Sequence, residues 1–334
     1  MERRAFINPK KNPFFQHADI ALFLAEEDGR VLGRIAAIVN HNHNAFHQDR
    51  VGFFGLFECV DDFEIARALL DEAAGWLKGR GMAVMRGPAS FSTNEEIGLL
   101  VEGFHESPMV LMPYNPRFYV AFMERYGLRK AKDLCAMSRE ATDIPERLVR
   151  MAEKVKQRKN VRIRKINMKD FPREVRRFKD VYDSAWERNW GFIPMTEAEV
   201  DHMASDLKQL LDPDLVLFAE VDGHIVGFSL ALPDINQALR RVNGRLFPLG
   251  LLKLLYYSRK IDQVRVPILG VIPGYRHMGI DGLLYLESFR EGIRKGYKRG
   301  EFSWLLEDNA AILGPLEAIG AKLYKTYRVY DLPL

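Results

Sequence analysis

Apolar positions along this chain recur with two periods, and the change from one to the other falls repeatedly at glycine. Residues 264–272 form a β-branched, nearly continuous apolar run that reads as a strand. Pro273 and Gly274 break it, and Leu283, Leu284, Leu286 and Phe289 then mark the inner face of an amphipathic helix. Upstream, residues 216–230 read as two strands folded about Asp222 and Gly223, a dipeptide suited to a tight hairpin turn.

The pattern occurs twice. Asp28, Gly29 and Gly33 match Asp222, Gly223 and Gly227 at an offset of 194, and Asn115 matches Asn309 at the same offset. Between these anchors Leu69 and Leu70 align with Leu283 and Leu284, so the second half carries about 20 more residues between its hairpin and its central helix. That insertion covers roughly residues 233–261 and includes a Leu- and Tyr-rich stretch at 246–257, which could line an acyl tunnel, cover a domain interface or form a dimer contact. The first half has its own extra segment around residues 87–112. Turn chemistry and a fresh helix start at 139–147 place the boundary, giving domains 1–140 and 141–334. Few residues precede the first hairpin, so the N-terminal copy lacks the opening strand and helices that residues 161–211 supply to the second.

Composition changes this picture little. The 334 residues are 47% hydrophobic and 28% charged, with net charge +4, which is ordinary for a globular chain of two domains. No apolar run reaches the ~18 residues of a membrane span, and the first residues lack the apolar core of a signal peptide. A cytoplasmic protein with no membrane partner is expected. Cys59 and Cys135 match no metal or redox spacing, so reduced thiols are expected. Basic residues cluster at 154–165, but no aromatics interleave with them, and a solvated face is expected rather than a nucleic-acid site.

A strand, a glycine turn and a helix start in succession form an anion site, because the first N–H groups of the helix have no partner and the macrodipole adds positive charge. Val271, Pro273, Arg276 and Gly279 in that turn resemble the acetyl-CoA signature of the GCN5-related N-acetyltransferase (GNAT) superfamily. The hairpin at 216–230 extends the resemblance, residues 301–306 look like the superfamily's fifth strand and the stretch from Asn309 to Gly320 like the helix after it, and most of the chain is similar to tandem-domain, acetyltransferase-like bacterial proteins. The expected fold is therefore α/β: two tandem GNAT-like domains, each a mixed, mostly antiparallel twisted sheet flanked by helices. The first half has Glu58, Asp61, Asp62 and Glu64 where the second has its glycine turn, which is poor company for a pyrophosphate. It reads as a degenerate copy.

The resemblance implies an acyl-CoA-dependent N-acyltransferase using acetyl-CoA or another acyl-CoA, in which an amine attacks the thioester directly. Leu269, Val271, Arg276, His277, Met278, Gly279, Ile280 and Asn309 would then hold the coenzyme. Asp281 stands where the signature wants Gly or Ala. Glu301, Glu307 and Asp308 are the candidate carboxylates for proton transfer, and Tyr324 is a candidate acid. Trp186, Glu187 and Trp190 would wall a pocket for a small-molecule or peptide amine, with the two indoles on one helical face if that helix continues. His41, His43 and His47 read as a polar turn rather than a metal site, and residues 93–96 have capping-box spacing. Other readings are a non-catalytic tandem binding module, motivated by Asp281, and a FemAB-like aminoacyl transferase. A homodimer is compatible with all three.

Overall fold

The computed structural model describes residues 3–142, 146–158, 160–244 and 247–334. Asp143 to Pro145 of the expected boundary, Lys159 of the basic run and Leu246 of the insertion lie outside the described residues.

In the first half a short helix α1 (Arg3–Phe6) precedes the hairpin of β1 (Ala18–Glu27) and β2 (Arg30–Asn40). Then come α2 (His41–His47), β3 (Val51–Cys59), α3 (Phe63–Lys78), β4 (Val84–Gly87), the short strands β5 (Ala89–Ser90), β6 (Glu96–Ile97) and β7 (Leu99–Glu102), α4 (Phe118–Tyr126) and β8 (Arg129–Glu140). The second half opens with α5 (Glu146–Arg158), β9 (Val161–Lys165), α6 (Phe171–Trp186) and α7 (Glu197–Leu207). Its hairpin is β10 (Val216–Val221) and β11 (His224–Pro233), followed by α8 (Asn236–Leu239), α9 (Gly250–Ser258), β12 (Gln263–Val271), α10 (Ile280–Arg294), β13 (Arg299–Leu306), α11 (Ala310–Ala318) and β14 (Lys322–Pro333).

Local geometry repeats as faithfully as the sequence. Asp28 and Gly29 take φ of 49° and 75°, Asp222 and Gly223 φ of 49° and 81°, the paired left-handed residues a two-residue hairpin turn needs. Each hairpin slips register once, at Ala25/Glu26 and at Ala219/Glu220, positions 194 apart. A Cβ at Gly33 would lie 2.7 Å from Leu69 Cδ1, and one at Gly227 3.1 Å from Leu284 Cδ1. The glycines thus let α3 and α10 sit close on their sheets, where Leu69, Leu70, Leu283 and Leu284 are fully enclosed.

The strands join in one twelve-stranded sheet ordered β1-β2-β3-β4-β14-β8-β13-β12-β11-β10-β9, with β7 also on β14. Its centre shows how the two GNAT-like domains meet. The last strand of each half pairs with the fifth-position strand of the other: β14 with β4, and β8 with β13. The exchanged strands pair antiparallel with each other, and their register is self-complementary under the repeat. Asp133 faces Arg328 and Leu134 faces Tyr327; Cys135 faces Thr326 and Lys132 faces Val329. A local two-fold therefore runs between β8 and β14, and Arg328 clamps Asp133 across it with hydrogen bonds of 2.8 and 3.0 Å.

Within the basic run Lys154, Lys156 and Arg162 are exposed, as a solvated face requires, and two further members are ion-paired. Arg164 bonds Glu174 and Glu220 at 2.6 and 2.5 Å, and Lys165 bonds Asp214 at 2.7 Å. Among the described residues no helix is long and apolar enough to cross a membrane.

Candidate active site

Two of the sheet's neighbours run parallel and then part. β12 and β13 pair only over Gln263–Arg299 to Val266–Phe302, after which the strands diverge. Pro267 follows the last paired position and has no N–H to continue the ladder. A cavity of about 370 Å³ opens at the split, lined by Pro267 and Ile268 from β12 and by Trp304 and Leu306 from β13. The indole Nε1 of Trp304 is buried with no acceptor among the described residues.

The far walls come from both halves. α6 and α7 supply Tyr182, Trp186, Met203 and Leu207, and the 87–112 segment of the first half supplies Ser92 through Ile97. Trp186 stacks on Tyr182 at 5.0 Å and lies on the backbone of Gly270, where a Cβ would come within 2.4 Å of the ring. The helix stops at Trp186 instead of continuing, because the chain turns through Gly191 at φ 69°. Trp190 therefore reaches the same cavity from a loop, with the Arg86 guanidinium 5.0 Å from its ring. Glu187 is exposed and lines a separate cleft with His43, His47 and Arg86.

Residues 93–96 form no helix. They make a loop tied across to the other half: Thr93 Oγ1 donates to Gly191 O at 2.7 Å, Asn94 Nδ2 to Ile193 O at 3.2 Å, and Tyr182 OH to Asn94 Oδ1 at 2.7 Å. This loop presents Glu95 to the cavity, where its carboxylate accepts the Phe91 N–H at 3.1 Å. Burial, aided by the nearby Glu199 charge, pushes the Glu95 carboxyl up to about 7. Glu199, also on the cavity wall, is held below its ordinary range despite burial by His17, 3.0 Å away, and by Thr196. Sequence reading passed over Glu95 as part of a capping box; only the fold shows that the loop crosses between halves.

Below the split lies a buried ionic cluster. Glu301 and Arg265 occupy paired positions on β13 and β12, 1% and 2% exposed. Glu301 accepts from Ser303 Oγ at 2.5 Å, from Lys325 Nζ at 3.2 Å and from the hydroxyl of Tyr324. Arg265 donates to Ser303 Oγ and O and to the carbonyls of Val110 and Leu111, and forms part of the cavity floor. Burial lowers the pKa of both Arg265 and Lys325, and burial with the Glu301 charge raises that of Tyr324 well above the usual phenol range. Two expected catalytic residues, Glu301 and Tyr324, are thus brought together. Glu307 and Asp308 are not with them: they pair at the surface with Lys130 and Lys132 at 2.6 and 2.8 Å.

At the other end of β12 the expected coenzyme turn has the required backbone. His277 and Gly279 take φ of 61° and 80°, and the first helical bond runs from Leu283 N–H to Gly279 O. The N–H groups of Gly279 to Gly282 have no backbone acceptor among the described residues. Arg276 is exposed, yet its guanidinium is held on the protein's own backbone, donating to Val271 O at 3.2 Å and Ala185 O at 2.6 Å. Met278, Ile280, Val271 and Leu269 belong to the apolar layer under α10, while His277 is exposed. Asp281 lies half-buried in the first turn. Asn309 precedes α11 beyond the end of β13.

The first half also has parting strands, β3 and β4, and a cleft beside them. There the strand backbone is already bonded by side chains, Leu56 N–H to Ser90 Oγ at 3.1 Å and Cys59 N–H to Tyr119 OH at 2.8 Å. Asn115, the partner of Asn309 in the repeat, is spent on both the N–H and the carbonyl of Leu100.

Comparison with known proteins bears on the family and the fold. No family model matches the chain. It is 38% identical to a bacterial ceramide synthase of Caulobacter vibrioides, over all of this chain and 89% of that protein. It is 36% identical to protein YghO of Escherichia coli, over 96% of this chain and 84% of that one. A tandem GNAT protein from the clavulanic acid biosynthesis pathway has the same fold, with a TM-score of 0.54 at 10% identity, covering 96% of this chain and 84% of its own.

Proposed function

Because the chain belongs to the family of the Caulobacter ceramide synthase and YghO, on a tandem GNAT fold, we propose that it is an acyl-CoA-dependent N-acyltransferase acting on a long-chain amine. The observation that carries this reading is Glu95, a half-buried residue whose carboxyl is raised to about 7 on the wall of a cavity that opens between parting parallel strands. A group that titrates near neutrality suits a general base, since an acceptor amine is protonated in water and must shed protons to become an amide. Glu95, Glu96, Glu199 and Asp206 on one wall favour an approaching ammonium. Phe192, Met195, Leu207, Leu210, Leu230 and Leu232 offer an apolar lining for hydrocarbon. A ceramide is the amide of a long-chain amino alcohol with a fatty acid, so the relative's name and the lining point the same way.

The second half fits the coenzyme. The free N–H groups at the start of α10 would take its phosphates, and the gap between β12 and β13 would admit its arm. When bound, acyl-CoA supplies a thioester-activated acyl group. The Glu95 carboxylate takes the proton that the acceptor nitrogen sheds, the indole N–H of Trp304 is available to a substrate carbonyl, and the Glu301 cluster fixes Arg265 on the floor. The acyl-CoA reading is given to the second half alone, because in the first the parting strands are bonded by Ser90 and Tyr119.

Calorimetric titration with palmitoyl-CoA and acetyl-CoA, followed by an amide-formation assay on a long-chain amino alcohol, tests the reading. Tighter binding of palmitoyl-CoA and amide product are expected; failure of the chain to bind either thioester would end the proposal. Met203→Trp, which fills the cavity from α7, should lower turnover of palmitoyl-CoA at least ~10-fold while sparing acetyl-CoA binding. Asp281→Asn removes a carboxylate from the helix start and should tighten coenzyme A binding about two- to fivefold, read in the same calorimeter.

A further inference from the structure

The connection between β11 and β12 carries the Leu- and Tyr-rich insertion, and its helix α9 turns apolar side chains outward. On α9, Gly250 is buried and Leu254, Tyr257 and Ser258 are half-buried, which defines the inner face at helical spacing. The opposite face shows Leu251, Leu252, Leu255 and Tyr256 at 55–63% exposure, and Phe247 just before the helix is 89% exposed. Of the seventeen exposed large apolar side chains among the described residues, seven fall between Leu239 and Tyr256. Singly scattered apolar residues need no explanation, but a concentration on one helix marks a contact surface.

Charge decides what it contacts. From Ile235 to Ile261 the sequence has six basic residues, Arg240, Arg241, Arg245, Lys253, Arg259 and Lys260, and no acidic one. Of these, Lys253 sits among the exposed leucines, and Lys260 lies 4.3 Å from the ring centre of Tyr256, so cation and aromatic ring share the rim of the patch. A second copy docking through the same face would bring two sets of like charges together. An anionic lipid surface meets both properties: headgroup charge for the basic rim and acyl-chain boundary for the leucines.

We propose that α9 and the segment leading into it dock this protein on anionic bilayers, the helix lying in the interface with Phe247, Leu251, Leu252 and Leu255 inserted. In the sequence alone the segment's amphipathicity is too slight to argue for a membrane; the fold separates its exposed leucines from a buried inner face. This inference stands apart from acyl transfer, because vesicle binding needs neither acyl-CoA nor acceptor.

The test is flotation of the full chain with vesicles of phosphatidylcholine alone and of phosphatidylcholine with phosphatidylglycerol. Binding only to the second, weakened by salt, is expected. Lys253→Gln with Arg259→Gln and Lys260→Gln should lower it by about fivefold per cation. Leu251→Gln with Leu252→Gln and Leu255→Gln should lower it at least ~10-fold, with thermal unfolding unchanged because these side chains are exposed. The proposal is overturned if the parent chain stays unbound to anionic vesicles at low salt. It is equally overturned if the leucine variant floats as well as the parent, or if the chain is a dimer that this variant splits. Should the leucine variant not fold, the cation variant and the salt dependence decide alone.

Discussion

Glu95→Gln should lower kcat/KM for amide formation about 10²- to 10⁴-fold and at the same time make the protein more stable at pH 8. The two effects have one cause. The Glu95 carboxyl titrates near 7 in the fold, against an ordinary value of 4.5, because burial penalises its charged form. Between those values the folded state holds a proton the unfolded state has released, so stability falls as pH rises from about 4.5 to about 7 and stays low above. The loss is about 3 kcal/mol at most, and a neutral amide of the same shape avoids it. In the parent enzyme activity should rise with pH through about 7, and in the variant that step should be absent. A variant with full activity and an unchanged pH profile would remove Glu95 from the mechanism.

Glu301→Ala should destabilise the fold by about 3–5 kcal/mol, a fall on the order of 5–10 °C in the calorimetric melting temperature. Its carboxylate is the acceptor for Ser303, Tyr324 and Lys325 and the counter-charge of Arg265 at 3.8 Å, all in a region closed to solvent. Without it, two buried cations lose their compensation, and burial alone already lowers the pKa of each. Glu301→Leu combined with Lys325→Met removes a cation together with the anion and should recover most of the loss. A change below ~1 kcal/mol in the single variant would show that solvent reaches the cluster.

Much of this architecture was legible because it rests on local chemistry. The Asp-Gly turns, the glycine-marked starts of α10 and the leucines under α3 and α10 are each fixed by residues a few positions apart, and the repeat doubled the signal. What escaped depends on residues far apart in the chain. Glu95 enters the cavity only because Asn94 and Thr93 bond residues about a hundred positions later. Glu301 is legible only as one of three equal candidates with Glu307 and Asp308, until β14 brings Tyr324 and Lys325 against it. Trp186 and Trp190 do share a wall, though by a turn at Gly191 rather than by a helical face.

The exchange of final strands bears on how the chain is made. During synthesis the first half emerges with β4 lacking its neighbour on one side, since β14 is made long after it, beyond all the other strands of the sheet. Until then, β4 and β8 present open edges, which are the natural templates for pairing with the wrong chain. The order of translation therefore forbids the usual route in which an N-terminal domain closes before the next begins, and a stalled or clipped chain lacking β14 leaves both halves unfinished. A gene split between the repeats would yield fragments obliged to find each other, so the two copies, once their last strands had crossed, were bound to a common inheritance.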